Sequence, residues 1–320
     1  YQTVIFKIRT AIMTLTELRY IVAVAQKKHF GQAAQACFVS QPTLSIAIKK
    51  LEQELEVKLF ERSSKNEIRI TDLGQDIILQ AQKVLREAQV IHEISQQGKD
   101  PLSGLFRLGA IYTIGPYLLP DLIPRISDNA PNITLIIEEN FTARLSESLK
   151  QGELDAIIIS YPFDEPGIET YPLYREPFVV AIPSQHEWQN RVDIKMNELI
   201  SQDLMLLGAG HCFRDQVLKA CPKCMSGNND LTRKLEGSSL ETIRHMVAAG
   251  TGITVLPCTS MHYSQKNETL ITIKPFTHPQ PHREVALAWR KHYPRKAAIK
   301  SIIKSIQQCR LPGTELIDPC

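Results

Sequence analysis

The sequence has no run of eighteen or more apolar residues, so nothing in it reads as a membrane-spanning helix and no membrane partner is expected. It has little net charge: 37 basic side chains against 34 acidic ones leave +3 with histidine neutral. A surplus that small does not identify a nucleic-acid partner, and any basic contact has to be local. A secretory leader is missing, because the first twelve residues (YQTVIFKIRTAI) are too short and wrongly flanked. Met13 is read as the start of the native chain. An even, regular cysteine framework is missing too. The seven cysteines (Cys37, Cys212, Cys221, Cys224, Cys258, Cys309, Cys320) are irregularly spaced, which argues against a disulfide-stapled secreted fold and for a reducing cytoplasm. In that compartment clustered cysteines serve metal binding, catalysis or redox sensing, and three of the seven fall within residues 212–224. What remains is ordinary: 320 residues, 43% hydrophobic and 22% charged, enough for two or three domains with real cores.

The first hundred residues carry periodic signals. Thr14 and Glu17 make a capping-box pattern ahead of Leu18, Ile21, Val22 and Ala25, one apolar helix face. A second helix is expected over residues 31–37, where Ala33 and Ala34 permit a close crossing. The third starts at Ser40, a good N-cap, with Pro42 tolerated in the first turn. Leu44, Ile48, Leu51 and Leu55 bury one side; Gln41, Thr43, Ser45, Lys49 and Lys50 lie off it, with Ile46. This is the pattern of a helix-turn-helix whose second helix enters a DNA major groove by its N-terminal end. Gln41 suits an adenine edge, and Thr43 and Ser45 suit bases or phosphates. Residues 61–71 read as a β-wing with Arg62, Lys65 and Arg69 for phosphate, against the plainer reading of a solvated basic hairpin. A long helix follows over residues 72–97. Ile77, Ala81, Val84, Ala88 and Ile91 repeat as a heptad seam, which would pair two copies; the plainer alternative is a helix packed on its own domain.

Residues 30–62 (FGQAAQACFVSQPTLSIAIKKLEQELEVKLFER) resemble the LysR-type transcriptional regulators. The match lies in the paired alanines, Val39, Ser40, Gln41, Pro42, Leu44, Ser45, Leu51, Glu52, Leu59, Phe60, Glu61 and Arg62. Two positions depart: Glu56 stands where the family usually has glycine, and Leu73 where it usually has alanine before Gly74.

Beyond a hinge marked by Gly98, Pro101, Ser103 and Gly104, strands and helices alternate. Strands are expected over residues 106–111, 133–138, 156–160, 178–182, 204–207, 253–256 and 285–289, and helices over 120–129, 143–151, 212–220, 239–249 and 295–309. That is an α/β pattern with buried, mainly parallel sheets, followed by an unstructured tail over the last ten residues. The resemblance implies a periplasmic-binding-protein-like effector domain of two lobes. The expected organisation is a winged helix-turn-helix domain at 13–71, a dimerisation linker helix at 72–97 and an effector domain at 105–310, with its second lobe at about 176–277.

Gly208, Gly210, His211, Cys212, Arg214 and Asp215 follow a buried strand and open a helix. A thiol at a helix N-terminus near Arg214 or a charged His211 is favoured as thiolate, the nucleophile that attacks a peroxide to give a sulfenic acid. Asp215 opposes this unless it pairs with Arg214. Cys37 and Cys258 read as small core residues, Cys309 as a helix-face or core residue and Cys320 as tail. Gly210–Gln216 and Cys221 at its spacing are similar to the peroxide-sensing branch of the LysR family. So are Ser239–Thr242, Met246–Gly250, Gly252–Thr254, and Thr113 with Gly115–Pro120. The resemblance implies a peroxidatic Cys212, a resolving Cys221, and a peroxide pocket completed by Thr113, Thr142, His211, Arg214 and Asp215. An intact helix over residues 212–220 would hold Cys212 and Cys221 roughly 13 Å apart along its axis. A disulfide needs Cα atoms within about 7 Å, so the bond requires the helix to unwind. Cys224 makes a CxxC with Cys221 that the family pattern does not require; it offers an alternative resolving thiol or, less favourably, part of a metal site.

The sequence is therefore read as a cytoplasmic, DNA-binding activator of oxidative-stress genes, not an enzyme, with no cofactor and no metal. Its expected partners are double-stranded promoter DNA, hydrogen peroxide and, by resemblance, RNA polymerase, with the chain assembled as a dimer of dimers. The alternatives are a LysR-type regulator that answers to a small organic effector or a metal ion, with inert cysteines, and a thiol peroxidase.

Overall fold

The computed structural model describes residues 13–62, 68–97, 100–225, 236–237, 239–261 and 270–317. The first twelve residues, Lys65, Gly98 and Cys320, all invoked above, lie outside them. The chain divides into two compact units, Tyr1–Ser95 and Gln96–Cys320.

The first unit opens with α1 (Leu15–Lys27), α2 (Phe30–Ala36) and α3 (Gln41–Glu54). The capping box forms as expected: the Thr14 amide donates to Glu17 Oε2 at 2.8 Å, and the Glu17 amide donates to Thr14 Oγ1 at 3.2 Å. α2 begins one residue earlier than expected because His29 caps it, its Nδ1 accepting from the Gln32 amide. Ser40 caps α3, accepting from the Thr43 amide. Leu18, Ile21, Val24, Ala33, Ala34, Leu44, Ile48 and Leu51 close into one core.

The wing is the antiparallel pair β1 (Phe60–Arg62) and β2 (Ile68–Ile70). Glu52 Oε1 holds its start by accepting from the amides of Leu59 and Phe60. Between α3 and the wing, Glu56 adopts φ +55°. The left-handed region favours glycine, the residue the family has here, and costs an L side chain about 1–2 kcal/mol. Glu56 is exposed and no ion pair offsets this among the described residues. Glu56→Gly is expected to stabilise the first unit by about 0.5–1 kcal/mol, after the extra chain entropy of glycine; a urea melt that shows no gain would sink the idea. Gly74 answers a different constraint, since a Cβ there would lie 2.5 Å from the Leu59 carbonyl oxygen. The exposed Leu73 disturbs nothing.

α4 (Asp72–Gln97) is the expected long helix. Its seam divides. Ala81 is buried in the first unit's core, and Ile77 and Val84 pack against it, whereas Ile91 is 69% exposed. Self-packing accounts for the first half of the seam; in the second half, among the described residues, Ala88 is half-buried and Ile91 is exposed.

The second unit is built on one sheet: β3 (Gly104–Ile111), β4 (Ile133–Asn140), β5 (Ala156–Tyr161), β6 (Ile168–Pro183), β7 (Leu204–Leu207), β8 (Glu236–Gly237), β9 (Ile253–Pro257), β10 (Ile271–Pro275), β11 (His282–Arg290) and β12 (Glu315–Leu316). It carries α5 (Gly115–Asn129), α6 (Thr142–Gln151), α7 (Cys212–Ala220), α8 (Leu240–Ala248) and α9 (Lys296–Gln307). The order β4-β3-β5-β11-β6-β9-β7-β8 runs through two hydrophobic cores. β6 is shared. Residues 168–177 pair with β11 beside the first core, and residues 178–183 pair with β9 and β10 beside the second. Tyr117 of α5 also packs into the second core and donates to Glu241 Oε1 of α8 at 2.9 Å.

Three expectations are corrected. The sheet is mixed: β3 is parallel to β4 and β5, and β7 to β8 and β9, but every pairing of β6 and β11 is antiparallel. The tail is not wholly unstructured, since Glu315 and Leu316 pair with Arg175 and Tyr174 of β6. α5 starts at Gly115, not Pro120. Pro116, Pro120 and Pro124 recur every fourth residue on its exposed side, so the missing N–H groups fall on one solvent face and the helix continues through them. Among the described residues no helix is long and apolar enough to cross a membrane.

Candidate redox site and nucleic-acid interface

β7 ends at Leu207 and α7 begins at Cys212, so the loop between them delivers the cysteine to the carboxyl end of a buried strand. Gly210 takes φ +95° to make that turn. Cys212 is a half-buried free thiol in the first turn of α7, where unpaired backbone N–H groups favour a negative charge. It faces a cleft of about 170 Å³ lined by Ile111, Tyr112, Thr113, Asn140, Phe141, Thr142, Gly210 and His211. The cleft has room for about one water-sized molecule. Its rim is aromatic: Phe141 stands edge-on to Tyr112 and His211, with ring centroids 5.3 and 4.7 Å away.

Two hydroxyls retain hydrogen-bonding capacity in this cleft. Thr142 Oγ1 is buried with no hydrogen-bond partner among the described residues. Thr113 Oγ1 accepts from Arg283 Nη1 at 2.8 Å, which leaves its own proton to donate. Arg283 is fully buried. Its Nη2 donates to the Thr113 carbonyl at 2.8 Å, its Nε donates to Glu176 Oε2 at 2.6 Å, and its guanidinium lies 5.2 Å from the Phe213 ring centre. Burial alone would weaken its hold on a proton, but Glu176, Tyr174 and a thiolate at Cys212 outweigh that and raise its pKa further. Glu176 is secured in turn by the amide and hydroxyl of Thr259.

Of the residues expected around peroxide, Thr113, Thr142 and His211 line the cleft with Cys212, and Arg214 and Asp215 do not. An α-helix turns about 100° per residue, which carries Arg214 to the far side of α7. There its Nη1 donates to the Leu207 carbonyl, beside Val217, Leu240 and Thr254. Asp215 is exposed. Arg283 and Glu176 were missed. Arg283 lies two residues before Val285 on β11, in the same buried phase of the strand, so starting that strand earlier would have flagged it.

α7 is wound, the state in which Cys212 and Cys221 are expected to stand apart, and the CxxC is closed. Cys212 is not joined to Cys221; Cys221 is bonded to Cys224, with Cα atoms 5.4 Å apart across the 3-10 turn Pro222–Met225. α7 is intact up to Ala220, which keeps Cys212 and Cys221 at opposite ends of the helix. Burial pushes the thiols of Cys258 and Cys309 up to about 12, in keeping with inert packing roles. Cys37 packs against the first unit's core. Among the described residues, no group of three or more His, Cys, Asp or Glu side chains could hold a metal ion.

In the first unit, Ser40, Gln41, Pro42, Thr43 and Lys49 are exposed along the start and outer side of α3, with Ser45 half-buried and Ile46 69% exposed. Arg69 is exposed on β2; Arg62 ends β1, and its side chain is outside the described set. Phe38, in the turn before α3, is 95% exposed at φ +57°, and no local pattern announced it.

Residues 15–75 match the bacterial regulatory helix-turn-helix proteins of the lysR family, and residues 99–310 match the LysR substrate binding domain. The chain belongs to the LysR family. It is 37% identical over 301 residues to the DNA-binding transcriptional dual regulator OxyR of Escherichia coli K12, covering 94% of this chain and 97% of that one. A full-length OxyR variant from Pseudomonas aeruginosa is 51% identical, with a TM-score of 0.76 over 93% of this chain and 99% of that one. A Corynebacterium glutamicum OxyR mutant with hydrogen peroxide bound is 29% identical, with a TM-score of 0.61 over 92% of each chain. α3 lies within the helix-turn-helix match, and the Cys212 cleft lies within the substrate binding domain match.

Proposed function

We propose that this LysR-family protein is a hydrogen-peroxide-responsive transcriptional activator that works in the bacterial cytoplasm. The observation that carries the reading is the cleft itself. A half-buried thiol at the N-terminus of α7 faces two threonine hydroxyls with unused hydrogen-bonding capacity, beside a buried guanidinium. Room for about one water-sized molecule beside the thiol suits peroxide.

The Cys212 thiolate attacks the near peroxide oxygen, the O–O bond breaks, and the far oxygen leaves as hydroxide and is protonated to water. Thr113 and Thr142 hold the two oxygens in line. Cys221 then resolves the sulfenic acid. That bond cannot close over an intact α7, so oxidation is coupled to unwinding of the helix. Gln41, Thr43 and Ser45 read promoter DNA, with Ser40, Pro42, Lys49, Arg62 and Arg69 positioned along its backbone. The second half of the α4 seam, where Ile91 is exposed and Ala88 half-buried, pairs two copies, and two dimers assemble on the promoter to contact RNA polymerase.

The test is peptide mapping by mass spectrometry after a low excess of peroxide. Modification that begins at Cys212 supports the reading; an unmodified Cys212 sinks it. Thr142→Val removes one oxygen contact and leaves Arg283 alone. It is expected to slow Cys212 oxidation about tenfold, the worth of one hydrogen bond of 1–2 kcal/mol in the transition state. Stopped-flow rates that match the unsubstituted protein would remove Thr142 from the site.

A further inference from the structure

The Cys221–Cys224 bond and an intact α7 coexist. Cys221 closes the helix, its amide donating to the Val217 carbonyl at 2.9 Å, and the Cys224 amide donates to the Cys221 carbonyl at 3.0 Å. Both cysteines are buried in the second core, beside Phe213 and Val217. A Cys212–Cys221 bond is the opposite case: it demands that α7 melt, with loss of its backbone hydrogen bonds and of the burial of Phe213 and Val217. The two disulfides share Cys221 and so exclude each other.

We propose that Cys224 takes Cys221 over from Cys212, so that oxidising equivalents enter at Cys212, end in the Cys221–Cys224 bond, and reset the switch from within the chain. This rests on Cys212 being the peroxide-reactive thiol. Peroxide converts the Cys212 thiolate to sulfenic acid and releases one water. The Cys221 thiolate attacks that sulfur, forming Cys212–Cys221 and releasing hydroxide, which is protonated to a second water. The Cys224 thiolate then attacks Cys221 Sγ. The Cys221–Cys224 bond forms, the Cys212–Cys221 bond breaks, and its electron pair leaves on Cys212. One peroxide and two thiols give one disulfide and two waters, with no further oxidant. The fold sets the direction of exchange: once Cys212 is released as the leaving thiolate, α7 regains its hydrogen bonds and packing. The unwound state is then transient, and a chain with Cys221 and Cys224 joined stays silent until a reductant opens that bond.

The experiment adds one equivalent of hydrogen peroxide to fully reduced full-length protein, quenches with an alkylating agent over time, and maps the peptides. Cys212–Cys221 is expected to rise and fall, Cys221–Cys224 to rise as it falls, and alkylation of Cys212 to return. Cys224→Ser and Cys224→Ala should both stop at Cys212–Cys221 with no return of Cys212. Cys212→Ser should slow formation of Cys221–Cys224 by roughly tenfold or more, because a buried thiol pair meets peroxide poorly. A stable Cys212–Cys221 bond in the unsubstituted protein, with Cys224 still alkylated, overturns the exchange and leaves the peroxide reading standing. Formation of Cys221–Cys224 at an unchanged rate in Cys212→Ser overturns it as well. If Cys212 stays unmodified in every variant, the exchange and the peroxide reading fail together.

Discussion

Arg283→Met is expected to destabilise the Gln96–Cys320 unit by about 3–5 kcal/mol, the loss that follows when one partner of a buried ion pair is removed. Both side chains are fully shielded from solvent, with Nε and Oε2 2.6 Å apart. Methionine keeps much of the volume but leaves the Glu176 carboxylate, among the described residues, with the Thr259 amide and hydroxyl, and strips Thr113 of two donors. At about 2–4 °C per kcal/mol for a unit of this size, the melting temperature should fall roughly 10 °C. Adding Glu176→Gln should recover part of the loss, because an amide is less costly to bury than an unpaired charge. Urea unfolding of the two single variants and the double variant measures the coupling. A single-variant loss under about 1 kcal/mol would show that water reaches Glu176 and that the pair does not organise the site.

Cys212→Ser is expected to abolish the peroxide response and leave DNA binding in the reduced state unchanged within about twofold, since near-isosteric exchange at one half-buried position disturbs little. A serine hydroxyl is not ionised near neutral pH, so nothing in the cleft attacks peroxide. With no sulfur at position 212, Cys221 has no bond to make across α7, and the helix stays wound. Fluorescence anisotropy on promoter DNA, with and without peroxide, reads both halves of the statement. A variant that still changes its binding with peroxide would move the sensing event to another thiol. One that loses all DNA binding would give Cys212 a structural role.

The parts that could be read in the sequence are those fixed by neighbouring residues. The Thr14–Glu17 box, the Ser40 cap and the bounds of α7 depend on contacts within four residues, and each is found as expected. The first ten residues of β6 escaped notice because Pro172 and Pro177 break the alternation; the register with β11 shifts beside Pro172, where a missing N–H is tolerated. Arg283 and Glu176 are 107 positions apart and meet only once β6 and β11 lie side by side. An arginine in a strand otherwise reads as a solvent-facing residue. The CxxC was visible as a motif. Which sulfur Cys221 bonds, however, is decided by whether α7 is wound, and a spacing rule carries no information about that.

The small size of the cleft also sets the kind of measurement the protein makes. Hydrogen peroxide has two heavy atoms, and even the best small ligands gain no more than about 1.5 kcal/mol per atom, or about 3 kcal/mol in total. That corresponds to a dissociation constant in the millimolar range at best. On the proposed reading, such a site is far from saturation at micromolar peroxide, and Cys212 is consumed in proportion to concentration multiplied by time. The protein is then a dosimeter rather than a receptor: its output reports accumulated exposure, and its threshold is where the rate of oxidation overtakes the rate of reduction.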